Sequence, residues 1–166
     1  CNPLIGNTLT DMGYDEQYTL QHKDTIRETP SFSDTLEIID DTHIVLHENV
    51  LIDLGAVGKG FAVDKTCQLL QEHGCTHMLV NGSGDIVHHG PQPIRAGMEQ
   101  PDDTTKVIGV IALENGALCS SAGNRRAWNG HHHILDANTN TSPQHIHGSW
   151  VLASSAALAD GLATCL

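Results

Sequence analysis

The sequence predicts an α+β fold, a largely antiparallel sheet flanked by helices. Short β-branched runs outnumber helical stretches along the chain. Several of these runs are separated by turn residues that link hairpins, such as Asp40-Asp41-Thr42 and Asn115-Gly116. Only two stretches carry apolar residues at helical spacing, and they are far apart in the chain. A length of 166 residues allows one domain, over 1–166, with a core of its own. Only six residues are Phe, Trp or Tyr, so branched aliphatics and Ala must fill that core.

The first 34 residues are polar and turn-rich, and are expected to wrap a core made elsewhere. Residues 36–39 and 43–47 read as a hairpin, and 50–54 as a third strand. The pattern then breaks into Gly55-Ala56-Val57-Gly58-Lys59-Gly60. Beyond it Ala62, Val63, Thr66, Leu69 and Leu70 recur at helical spacing, with Gly74 as the stop. Residues 77–80 form a strand that runs into a second glycine turn, Asn81-Gly82-Ser83-Gly84-Asp85. Residues 107–113 and 117–121 read as strands joined by a hairpin turn at Asn115-Gly116. A strand at 150–153 precedes a closing helix from 156 to about 166, capped by Ser154 or Ser155.

Charge excludes some functions. Eight Lys and Arg against 20 Asp and Glu leave a net charge of −12, which rules against a nucleic-acid backbone or an anionic membrane as main partner. One anionic ligand is still allowed if a metal or backbone N–H groups neutralise it locally. No apolar run is long enough for a transmembrane helix, and without a basic-then-apolar start no signal peptide is expected. Five cysteines, with no C-x-x-C pair, point away from a disulfide scaffold or a zinc finger.

Four places can carry chemistry. The first glycine loop opens a helix, where backbone N–H groups and the helix dipole make an anion site and Lys59 adds a charge. A tight strand-to-helix turn explains the same residues equally well. The second loop allows close backbone approach, with Asp85 free to bind a hydroxyl or to cap a plain hairpin turn. Asp160 and Thr164 lie one helical turn apart and are hard oxygen donors suited to Mg²⁺ or Ca²⁺; a solvated Asp and a Thr bonded to its own backbone fit the spacing too. His131-His132-His133 suggests a transition-metal tract, or a catalytic His with Asp136 three residues on. In a strand His131 and His133 would share a face. His88, His89, His145 and His147 read as solvated loop residues.

Taken in order, these loops resemble one family. Residues 53–64, Asp-Leu-Gly-Ala-Val-Gly-Lys-Gly-Phe-Ala-Val-Asp, are similar to the D-L-G-[GA]-[IV]-A-K-G-[YF]-A-V-D block of the ApbE flavin transferases. Residues 80–86 resemble V-N-x-G-G-D-I, residues 119–124 an A-T-S-G-D-Y-like turn, and residues 132–136 H-H-I-I-D-P. Residues 159–164 are similar to A-D-A-L-A-T and residues 2–6 to N-P-L-I-G. The order is right over nearly the whole chain.

The resemblance implies a Mg²⁺-dependent enzyme that moves FMN from FAD to a Thr hydroxyl of an acceptor flavoprotein and releases AMP. Hydrolysis of FAD to FMN and AMP, or an inactive flavin- or metal-binding module, are the alternatives it leaves. Carried over by position, the Mg²⁺ ligands are the Gly58 carbonyl, the Asp160 carboxylate and the Thr164 hydroxyl. His133, with Asp136, is the proton acceptor. Asn81, Gly82, Gly84 and Asp85 line the nucleotide pocket, with Lys59 near the phosphates. Gly58, Ser83, Ser120, Ala122, Ala137 and Asn140 depart from the pattern, and none of these changes removes a proposed ligand. Family members are longer and carry further segments, among them residues of the flavin-ring pocket, so a fragment or a short form is expected. By the same resemblance the full form is expected outside the cytoplasm, anchored to the membrane.

Overall fold

The computed structural model describes residues 1–165; Leu166, where the closing helix is expected to end, lies outside the described residues. In chain order the elements begin with α1 (Gly6–Asp11), α2 (Phe32–Thr35), β1 (Leu36–Ile38), β2 (Ile44–Leu46) and α3 (Gly58–Glu72). Then come β3 (Met78–Gly82), β4 (Asp85–His89), β5 (Ile94–Gln100), β6 (Asp103–Leu113) and β7 (Gly116–Ala122). The last are β8 (Ala127–Trp128), β9 (His131–His132), β10 (Gly148–Ala153) and α4 (Ala156–Cys165). Every strand pairing is antiparallel. Contacts divide the chain into two compact units, one of Cys1–Leu54 with Arg126–Pro143, the other of Gly55–Arg125 with Gln144 onward.

In the first unit the polar start does more than wrap. A 3₁₀ turn at Pro3–Ile5, with the Asn2 carboxamide accepting from the Leu4 N–H at 3.0 Å, runs into α1. It buries Leu4, Leu9 and Met12. The buried Asp11 carboxylate takes Lys23 Nζ at 2.7 Å and Arg27 Nε at 2.6 Å, tying the turn-rich stretch to α1. The Arg27 hydrogen bond, opposed by burial and helped by Lys23, holds that carboxyl well below the usual carboxylate range. The hairpin β1–β2 forms as expected, Leu36 opposite Leu46. Residues 50–54 do not form a strand. Their backbone is spent on the chain's start: the Asp53 N–H donates to the Pro3 carbonyl at 2.7 Å. Leu51 also packs so closely on Gly6 that an added Cβ would sit 2.6 Å from the Leu51 oxygen.

The second unit holds a four-stranded sheet in the order β10-β7-β4-β3, with α3 and α4 packed together on it. Val63, Cys67, Val87, Ala117, Cys119, Ala156 and Ala159 form the core between them, the aliphatic and alanine-rich filling the composition calls for. In this unit two strands, β4 and β5, were not legible from pattern. His88, expected in solvent, lies in β4 and is 6% exposed. Asn115-Gly116 does turn the chain (Asn115 φ +37°), but β6 pairs with β5 in a separate ribbon and β7 with β4 and β10. The turn therefore passes between sheets and closes no hairpin.

The two helices meet at their N-termini. A Cβ added to Gly60 would lie 2.3 Å from the Ala156 carbonyl oxygen, so only glycine permits the approach. Asp64 of α3 accepts from the Ala156 and Ala157 N–H groups at 2.8 and 2.9 Å, occupying the first amides of α4. Ser155 accepts from the Leu158 N–H at 3.3 Å, the cap expected from sequence. Replacing Asp64 by alanine leaves two amides without an acceptor and is expected to cost about 1–2 kcal/mol, read as a lower urea midpoint at unchanged slope. A midpoint equal to that of the parent chain would show that Ser155 alone suffices.

Candidate functional site

Gly58 and Lys59 open α3, and their N–H groups precede its first internal bond, Phe61 N–H to the Val57 carbonyl at 2.9 Å. The next amide, Gly60 N–H, donates to Asp160 Oδ2 at 3.0 Å. An anion thus stands at the N-terminus of α3, as the helix dipole favours, and it is the chain's own carboxylate. Lys59 Nζ bonds Asp160 Oδ1 at 3.0 Å and Asp85 Oδ2 at 2.5 Å. Both carboxylates are buried, with side chains 1% and 2% exposed, while Lys59 is 43% exposed. Burial opposes the ammonium, yet Asp85 and Asp160 together outweigh it and hold Lys59 above the ordinary lysine range.

Thr164, one turn beyond Asp160, has its hydroxyl 3.2 Å from the Asp160 carbonyl and 3.0 Å from Ser121 Oγ on β7. Residues 58–60, 85, 160 and 164 are therefore brought together. They come from the head of α3, the head of β4 and one face of α4. Ser121 was missed by sequence reasoning, although it stands in the Ser120-Ser121-Ala122 turn that carries part of the resemblance. Cys119 was missed too. Its thiol bonds the Ala156 carbonyl at 3.5 Å, and burial, then the charge of Asp85, pushes it well above the usual thiol range. It stays protonated and serves packing.

The second glycine loop is a two-residue hairpin turn. Ser83 (φ +63°) and Gly84 (φ +108°) occupy it, and Asn81 Oδ1 accepts from the Gly84 N–H at 2.8 Å. Gly82 lies so close to α3 that a Cβ would stand 2.5 Å from Val63 Cγ2. Asn81, Gly82 and Gly84 thus fix the hairpin on α3 and present Asp85 to Lys59.

The donors suit a small hard cation. The Asp160 carboxylate and the Thr164 hydroxyl supply only oxygen, and an ammonium already stands beside that carboxylate. Among the described residues no three His, Cys, Asp or Glu side chains gather as metal ligands. An ion held here must complete its shell with substrate oxygens and water, as Mg²⁺ commonly does.

His133 and Asp136 belong to the first unit. His133 lies just past β9, its ring centroid 6.1 Å from that of Tyr14, which stacks on Trp128 at 5.6 Å. Asp136 Oδ1 accepts from the Asn138 N–H at 2.9 Å, within a turn closed by the Asp136–Thr141 bridge. Asn140 holds φ +53° there, a conformation that a glycine or asparagine tolerates. The three consecutive histidines do not converge. His131 packs on the His22 ring at 4.8 Å, and His132 Nε2 donates to the Pro143 carbonyl at 2.9 Å.

The antiparallel α+β fold thus gathers a buried carboxylate at a helix head, a lysine shared between two carboxylates and a hydroxyl one turn away. The chain belongs to the ApbE family, whose pattern it matches over residues 2–166. It is 29% identical over 128 residues to the FAD:protein FMN transferase of Klebsiella pneumoniae (strain 342), spanning 71% of this chain and 37% of that one. The Haemophilus influenzae enzyme of that name is 33% identical over 128 residues, 70% of this chain and 37% of the relative. The ApbE protein of Thermotoga maritima has the same fold at a TM-score of 0.83 and 26% identity, covering 98% of this chain and 57% of its own. The chain thus spans under half the length of the curated relatives it matches. Among the described residues no helix is long and apolar enough to cross a membrane.

Proposed function

We propose that this chain carries the nucleotide- and metal-handling part of a flavin transferase, which moves FMN from FAD to a Thr hydroxyl of an acceptor protein and releases AMP. The observation that supports it best is the Asp160 carboxylate, buried at the head of α3, with Thr164 one turn away. Bound there, Mg²⁺ would neutralise diphosphate oxygens and the charge that develops on the AMP leaving group. Asp160, Thr164 and the Gly58 carbonyl would hold it. The Gly58 and Lys59 N–H groups, which precede the first internal bond of α3, favour an anion beside them, so with the cation bound an acidic chain could accept a diphosphate here. In the reaction the Thr oxygen attacks the phosphorus on the FMN side, the bond to AMP breaks, and the hydroxyl proton needs a base, the role that the family resemblance gives His133. An imidazole suits that step because it titrates near neutral pH.

The test incubates the chain with FAD and Mg²⁺, with and without a Thr-bearing acceptor domain, and follows AMP and flavin bound to protein. AMP release that EDTA stops is expected; a folded chain that releases none overturns the reading. AMP without flavinylated acceptor would identify FAD hydrolysis instead. His133→Ala is expected to keep FAD affinity while transfer falls by about a hundredfold or more. Unchanged transfer would remove His133 from the mechanism.

A further inference from the structure

We propose that Lys59 is an exchangeable counter-cation: it holds Asp85 and Asp160 together in the metal-free protein and gives up Asp160 when a divalent ion takes that carboxylate. The inference rests on the metal reading above and adds what the chain does with the site before the ion arrives.

The geometry carries it. Of the two Asp160 oxygens, Oδ2 accepts from the Gly60 N–H at 3.0 Å, a backbone donor fixed at the head of α3. Oδ1 is the oxygen open to exchange, and Lys59 Nζ holds it at 3.0 Å. A cation entering through Oδ1 meets the ammonium directly, and two like charges on one oxygen repel. Lys59 can yield because it has a second, shorter bond, to Asp85 Oδ2 at 2.5 Å. It can also move, because its side chain is 43% exposed on a flexible stem, whereas both carboxylates are fixed and buried. Asp85 is therefore the holdfast. It keeps Lys59 beside the site after the exchange and never leaves the ammonium unpaired. Without Lys59 the metal-free protein would bury two carboxylates with no cation between them, which is costly.

The test measures Mn²⁺ affinity of the 166-residue chain from the electron paramagnetic resonance signal of the free ion, with Mn²⁺ as the probe for the hard-cation site. Lys59→Met is expected to bind Mn²⁺ about tenfold or more tightly than the parent, the low end of what one nearby charge does to a carboxylate's affinity for a proton. Its metal-free Tm is expected to fall, and Mn²⁺ to raise it further than it raises the parent's. In the parent, Mn²⁺ is expected to increase amine labelling of Lys59 severalfold relative to Lys23, Lys65 and Lys106. Equal affinities of parent and variant, or labelling of Lys59 that metal leaves unchanged, overturn the exchange while the metal site stands. Absence of Mn²⁺ binding by both proteins overturns the metal reading itself. Should Lys59→Met fail to fold, Asp85→Asn and Asp85→Asn/Lys59→Met make the same comparison with one orphaned carboxylate instead of two. The double variant must then bind more tightly than the single.

Discussion

Asp160→Ala is expected to lower metal-dependent AMP release by about a thousandfold or more, the equivalent of the several kcal/mol that a bound metal ion supplies to phosphoryl transfer. The reason is that Asp160 is the single carboxylate in the proposed ligand set, and its loss leaves a hydroxyl and a carbonyl to hold the ion. The same change also strips the Gly60 N–H of its acceptor, at a cost of about 1–3 kcal/mol in a buried place. Asp160→Asn separates the two effects. Its carboxamide oxygen can still accept from Gly60, so that share of the stability should return, while its NH2 group now faces Lys59 and the negative charge that favours a divalent ion is lost. Parallel assays of AMP release and urea unfolding check this. Full activity in either variant would show that the metal is held elsewhere.

Gly60→Ala is expected to cost about 3 kcal/mol, the upper end of the range for overpacking. The added Cβ would lie 2.3 Å from the Ala156 carbonyl oxygen, 2.6 Å from its carbon and 2.8 Å from Ala157 N, all backbone atoms that no rotamer change can move. Relief requires α3 and α4 to part. That strains both cross-helix bonds, Asp64 to the amides of α4 and Asp160 to Gly60. For a chain of this size the expected fall in Tm is roughly 6–12 °C. Gly74→Ala is the control. Gly74 ends α3 at φ +86° with nothing within 4 Å of an added Cβ, so it should lose only about 1 kcal/mol through backbone strain. Equal losses at the two positions would mean that the helix approach is slack.

Local pattern made part of this legible. The spacing from Ala62 to Leu70 announced a helix with Gly74 as its stop, although the helix opens earlier, at Gly58 within the glycine loop, and the Ser154-Ser155 pair announced the head of α4, because helix signals lie within a few residues of what they act on. Hairpin β1–β2 was legible for the same reason. The failures have a different physical origin. Residues 50–54 are apolar enough for a strand, but a strand needs a partner, and their backbone goes to Pro3. Asn115-Gly116 is a good hairpin turn that joins two sheets, since β7 finds its neighbours in β4 and β10. His88 looked solvated because nothing near it in sequence reveals that β4 is covered. At the site, the spacing of Asp160 and Thr164 and the glycine loop before α3 were visible, and the order of motifs suggested that they meet. Asp64, Ser121 and Cys119 were not assigned, because each acts on a backbone or side-chain group dozens of residues away. The bonds of Lys59 to Asp85 and Asp160 are invisible in the sequence for the same reason, since their partners lie 26 and 101 residues away.

The helices α3 and α4 each lend a carboxylate to the first amides of the other, Asp64 to Ala156 and Ala157, Asp160 to Gly60. These bonds join residues 92 to 100 positions apart. During translation the head of α3 therefore leaves the ribosome long before its acceptor exists, and its amides stay hydrated until the far helix arrives. A truncated nascent chain that stops short of residue 156 has no means of closing either clasp. Closing the clasp between the two helices and setting the carboxylate at the head of α3 are then the same late event.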